Sequence, residues 1–171
     1  MRLFIAINFC EDTRERLTAL REELRANSEY GSFTLPENLH LTLVFLGECL
    51  ANQTALAKAA MDEIRVEPLD LKIERVGRFE RDDGDIWWAG LGDCKPLLDL
   101  QRNLTDKLIA ARFELDKRKF SPHITLARRV VTSATPKSIA PFGETVSRIE
   151  LMKSERVSGK LTYTAIHSKR G

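Results

Sequence analysis

ENLHLTLVFLG at residues 37–47 and SPHITLARR at residues 121–129 repeat one figure: a histidine, an apolar residue, a threonine, then a leucine. Each stretch predicts a strand. Side chains alternate across a strand, so residues two apart share a face about 7 Å from one another. His40 and Thr42 therefore take one face, and Leu39, Leu41, Leu43 and Phe45 are expected on the other, packed onto helices. His123 and Thr125 oppose Ile124 and Leu126 in the same manner. Each unit sets an imidazole beside a hydroxyl on a rigid, core-anchored element.

One such unit carries little weight, because a lone histidine on a sheet face is more often structural than catalytic. The chain has three histidines, however, and two carry the pattern. Imidazoles titrate near pH 6.5, so one can be neutral while the other is protonated. That pair supplies a general base and a general acid, each worth roughly 10²–10⁴-fold. In-line displacement at phosphorus puts nucleophile and leaving group on opposite sides, which is where two such strands would stand if related by a pseudo-two-fold axis. The threonine hydroxyls would then hold non-bridging phosphate oxygens.

Other chemistries fit less well. A metal site needs a third ligand, and His167 lies in the basic tail HSKRG with no partner pattern. No tight turn surrounds a serine or cysteine as an activated nucleophile requires, and there is no glycine-rich phosphate loop.

Around the two motifs, strands and helices are interspersed. Arg2 to Phe9 predicts a strand; Glu11, Asp12 and Thr13 then offer caps for a helix whose stripe is Leu17, Leu20 and Leu24. The stretch 27–38, with Gly31 and Pro36, reads as a loop. A second helix is expected over 52–64 with Leu56, Ala59, Ala60 and Ile64 facing in. Residues 69–76 alternate as a half-wet strand, turn at 82–85 and return as 86–91. Asp93 and Pro96 open a third helix with the stripe Leu97, Leu100, Leu104 and Leu108. The Ser/Thr/Pro-rich 132–141 reads as an exposed loop, and strands near 147–154 and 160–168 meet at Ser158–Gly159. Consecutive strands at the end favour an α+β fold with mostly antiparallel sheets over a doubly wound parallel one.

At 171 residues, 43% hydrophobic and 30% charged, the chain can bury a sizeable core. The net charge of +2 imposes no nucleic-acid partner. Three cysteines, Cys10, Cys49 and Cys94, lack any metal or disulfide spacing and read as free thiols. No segment approaches the roughly 18–20 apolar residues of a membrane span, and the N-terminal apolar run meets charge too soon for a signal peptide. A cytoplasmic protein is expected.

The two motifs, in their contexts ENLHLTLVFLGE and FSPHITLAR, resemble the HxTx pair of the two-histidine (2H) phosphoesterase superfamily, in particular the RNA 2′,3′-cyclic phosphodiesterases, also called 2′-5′ RNA ligases (LigT-like). MRLFIAI, IWWAGL and LMKSERVSGKLTYTAI are similar to that family's first strand, central hairpin strand and closing hairpin. The resemblance implies one bilobal 2H phosphoesterase domain over 1–171, with mostly antiparallel sheets around a central cleft and helices outside. It implies hydrolysis of RNA 2′,3′-cyclic phosphate ends to 2′-phosphates without metal or cofactor. His40 then corresponds to the proton donor, His123 to the proton acceptor, and Thr42, Thr125 and Arg128 to phosphate-binding residues. Alternation alone turns Arg128 away from His123, so its role requires the strand to end or bulge there.

The implied partner is RNA or a nucleotide with a 2′,3′-cyclic phosphate end, tRNA fragments among them, bound by a monomer away from any membrane. Alternatives are 2′-5′ joining of RNA halves, or a nucleotide- or RNA-binding module with little catalysis. Phe33, Val44 and Glu80 depart from the family's common tryptophan, arginine and proline, at positions expected on the cleft rim. Of the adjacent Trp87 and Trp88, one must be core and the other is free to stack on a base. Lys117, Arg118, Lys119, Arg128 and Arg129 bracket the second motif as a solvated face that could also meet an RNA backbone.

Overall fold

Apolar strands two residues in period and helices with one apolar stripe can be satisfied together by sheets that each bury one face under helices. A computed structural model describes residues Met1–Gly171. In chain order the elements are β1 (Arg2–Asn8), α1 (Glu11–Ala26), β2 (Ser28–Phe33), a 3-10 turn at Pro36–Asn38, β3 (His40–Glu48), α2 (Ala51–Asp62), β4 (Leu69–Phe79), β5 (Asp85–Leu91), α3 (Lys95–Ala110), β6 (His123–Thr132), β7 (Lys137–Val146), β8 (Arg148–Val157) and β9 (Lys160–Arg170). The strands form two antiparallel sheets, ordered β3-β1-β8-β9 and β2-β6-β5-β4-β7. The α+β expectation holds.

Helix α1 lies against β2, β6 and β7, while α2 and α3 pack on one another and against the first sheet. One apolar cluster joins both halves: Ile5 and Ile7 of β1, Leu17 and Leu24 of α1, the four predicted leucines of α3, and Ile124 and Leu126 of β6. At about 25 cal/mol per Å² of apolar surface removed from water, such a stripe of four buried leucines is what holds α3 to the molecule. Strands β3 and β6, one from each sheet, come alongside one another with Cα atoms within 8 Å. Both histidine strands thereby border one cleft.

Several expectations need correction. The predicted loop 27–38 contains edge strand β2, and the predicted loop 132–141 runs into edge strand β7, paired with β4 from Leu69↔Val146 to Val76↔Lys137. Both are edge strands with little buried apolar surface, so neither leaves a hydrophobic signature. Helix α2 buries Thr54, Ala57, Ala60 and Met61, whereas Leu56 is 44% exposed and Ala59 is also exposed. The periodicity was there but its phase was not: an alanine-rich helix carries a weak stripe. The α1 cap is Cys10, with Glu11 and Asp12 in the first turn where they favour the helix dipole. The Cys10 N–H donates to the Glu144 carboxylate of β7 at 3.0 Å. All three cysteines are free thiols.

Candidate active site

The carbonyl two residues before each histidine fixes its ring. His40 Nδ1 donates to the Asn38 carbonyl oxygen at 2.6 Å, and His123 Nδ1 to the Ser121 carbonyl oxygen at 2.8 Å. A carbonyl can only accept, so Nδ1 carries the hydrogen in both neutral rings and Nε2 is left as the reactive nitrogen. The 3-10 turn Pro36–Asn38 and the Ser121-Pro122 dipeptide deliver those carbonyls. On the first strand the Thr42 hydroxyl meets His40 Nε2 at 2.8 Å.

Past each threonine the strand bulges by one residue. In β3, Thr42 pairs with Ala6 but Val44 with Ile5; in β6, Thr125 pairs with Trp88 but Ala127 with Trp87. Each bulge puts two consecutive residues into the core, Leu43 with Val44 and Leu126 with Ala127, all buried. The next residue therefore returns to the histidine face. Arg128 thus stands with His123 and Thr125, the bulge its role required. By the same shift Phe45 is 64% exposed beside His40 and Thr42, paired with Phe4 of β1. The expectation that Phe45 packs inward is wrong for that reason, and Val44, expected at the cleft rim, is core. A further irregularity follows at Arg129, whose φ of 53° is left-handed.

The two imidazoles have different walls. His40 sits 4.9 Å from the Phe4 ring and edge-on to Tyr163 at 5.3 Å. His123 stands edge-on to Phe79 at 5.3 Å and 6.4 Å from Trp88. Burial is the main cause holding both imidazoles below their ordinary pKa, opposed by the backbone carbonyl bonds. The Arg128 guanidinium pushes both further down and also acts on the Tyr163 phenol, and the charge on His123 acts on His40. These shared influences mark His40, His123, Arg128 and Tyr163 as neighbours. The Tyr163 phenol is itself raised, chiefly by burial.

Tyr163 reaches His40 from the closing hairpin, which is latched to the turn before β3. The Asn38 side chain donates to the Leu161 carbonyl at 2.9 Å, and Lys160 pairs with Glu37 at 2.7 Å. The lysine ammonium accordingly holds the Glu37 carboxyl below its usual range. Asn38, Ser121, Phe4, Phe79 and Tyr163 were not picked out by sequence. Only the fixed spacing of Asn38 and Ser121 before each histidine was available to suggest them. Trp87 is 1% exposed and core; Trp88 lies on the His123 face. Of the bracketing cations, Arg118 is held by Asp116 at 2.8 Å and Arg129 lies 3.9 Å from Asp83. No three His, Cys, Asp or Glu side chains converge as a metal cage.

A family model described as LigT like Phosphoesterase matches residues 7–88, which include the first histidine strand. An RNA 2′,3′-cyclic phosphodiesterase of Archaeoglobus fulgidus is 32% identical over 129 residues, covering 75% of this chain and 72% of the relative. The protein of that name from Escherichia coli K12 is 28% identical over 167 residues, covering 96% and 93%. Among solved structures, Escherichia coli LigT complexed with 3′-AMP superposes with a TM-score of 0.84 at 27% identity, covering 99% of this chain and 97% of that one. With its paired histidine strands, its two antiparallel sheets and these relatives, the chain belongs to the LigT-like phosphoesterase family.

Proposed function

We propose that this chain hydrolyses the 2′,3′-cyclic phosphate ends of RNA to 2′-phosphates by acid–base catalysis between His123 and His40. The observation that carries the reading is the pair of imidazoles bordering one cleft, each pinned through Nδ1 by the carbonyl two residues back, with Nε2 unpartnered in His123 and met only by the Thr42 hydroxyl in His40. In the proposed step His123 Nε2 takes a proton from water. The water oxygen bonds to phosphorus, the bond from phosphorus to O3′ breaks, and His40 Nε2 delivers a proton to O3′. Thr42, Thr125 and Arg128 bind the non-bridging oxygens and the charge that builds on them. The chemistry needs no metal.

Phe45, exposed on the His40 face beside Phe4, offers a flat apolar surface for the nucleobase of the end nucleotide. The two lobes share one apolar core, which supports reading 1–171 as one domain. Three free thiols suit a reducing compartment such as the cytoplasm. The names of the relatives support RNA as the source of the cyclic end.

The test is a phosphorus-31 NMR time course with a 2′,3′-cyclic mononucleotide, with and without EDTA. The reading requires a 2′-phosphate product formed at equal rates in both. A 3′-phosphate product, or loss of turnover with EDTA, would contradict it.

A further inference from the structure

The ground beside the two histidines is unequal. His40 is paired across β3 and β1 with Asn8, and Phe4 and Tyr163 wall it in. His123 is paired with Gly90 of β5, and Gly90 in turn with Arg75 of β4. Directly paired residues share a face, so His123, Gly90 and Arg75 form one row across three strands of the second sheet. The middle position has no side chain. Arg75 thus stands two strand spacings from His123, roughly 9–10 Å, and its side chain and the Trp88 ring cover the backbone of Gly90 between them.

A glutamate bulge is what turns Arg75 onto this face. Ile73 pairs with Leu91 and Arg75 with Gly90, leaving Glu74 extra. The guanidinium is anchored by Nη1 donating to the Leu91 carbonyl at 2.8 Å, and that same nitrogen is 3.7 Å from the Glu74 carboxylate. Nε and Nη2 have no protein acceptor, and the side chain is 47% exposed. Along the row runs the Trp88 indole, laid against Gly77 and Gly90, with Arg75 5.8 Å from its centroid and Phe79 at 5.4 Å. A Cβ at Gly90 would stand 2.8 Å from the indole and 2.9 Å from Arg75 Nε, so glycine there keeps both the ring and the guanidinium in place.

A held cation with free donors, joined to His123 by the aromatic face of Trp88 lying over Gly90, makes a surface suited to a single-stranded polynucleotide. We infer that Arg75, with Trp88 beside it, binds a phosphate of the RNA strand that leads to the cyclic end. This rests on the proposed function. It adds that the enzyme prefers an oligonucleotide to a mononucleotide, and that the strand leaves the cleft across β5 and β4.

The test compares a 2′,3′-cyclic mononucleotide with a short oligoribonucleotide ending in a 2′,3′-cyclic phosphate, for the natural protein, Arg75→Ala and Arg75→Lys. Arg75→Ala should leave mononucleotide kcat and KM unchanged and raise KM for the oligonucleotide about three- to tenfold. It should also flatten the dependence of log kcat/KM on log salt by about 0.7, the slope for one phosphate of a single strand. Arg75→Lys should recover part of both. Equal effects on the two substrates, or a lowered melting temperature with no change in oligonucleotide KM, would reduce Arg75 to a clamp on Leu91 and overturn the inference. Failure of the natural protein to turn over the mononucleotide would instead strike the proposed function.

Discussion

Arg128 and Phe45 hold equivalent places after equivalent bulges, and they divide the work of the cleft. Under the proposed function the cation takes the phosphate, and the aromatic ring takes the uncharged part of the substrate. Phe45→Ala should therefore raise KM for a cyclic nucleotide with little change in kcat, by roughly 5- to 150-fold if the base loses about 1–3 kcal/mol of stacking. A matching loss in kcat at constant KM would place Phe45 in the chemical step instead. Arg128→Ala has a separable signature. Its charge helps hold both imidazoles low, so its removal should move both limbs of the kcat/KM pH profile upward as well as weaken phosphate binding. A profile that keeps its position while the rate falls would show that Arg128 does not act on the histidines.

At the scale of elements, β5 and β4 show how closely the site depends on backbone approach. A Cβ at Gly77 would collide with the six-membered ring of Trp88, which wall the His123 side. Gly77→Ala should cost about 1–3 kcal/mol of stability, measured by denaturant unfolding, because overpacking forces the indole off the sheet. An unchanged midpoint would mean that the ring has room to shift. An element is legible in the sequence where it carries its own hydrophobic record, as with the four leucines of α3 or the frame of β3. It is not legible where that record is absent or interrupted. β2 and β7 lie at sheet edges and bury little, and α2 presents alanines whose stripe can be drawn in two phases. The bulges at Leu43–Val44 and Leu126–Ala127 are invisible to a rule of strict alternation, though each is written as two apolar residues in succession. That doublet is the signal that would have turned Phe45 outward and Arg128 into the cleft.

Across the whole molecule, no helix is long and apolar enough to cross a membrane, and one apolar core ties the lobes together around the cleft. That arrangement half-buries both imidazoles and so favours their neutral forms, which has a cost on the acid side. Both folded pKa values lie below the unfolded value of about 6.5, so as pH falls below that value the unfolded chain takes up protons before the folded one does. Stability should be full above about pH 6.5 and decline as pH drops through the folded values; His40→Asn should flatten that decline in a series of melting curves. A steeper decline in the variant would mean that His40 is charged in the fold. The same low values set activity. The proton donor must be charged, so kcat/KM should fall on the alkaline side from below about pH 6.5, while kcat holds to higher pH because bound phosphate favours the imidazolium. The most direct test of the paired-histidine account is turnover of a 2′,3′-cyclic nucleotide by His40→Ala and His123→Ala, each verified as folded. The account predicts that each loses about 10²–10⁴-fold in kcat, and that the double variant loses much less than the product of the two. Near-natural turnover in either single variant would contradict it.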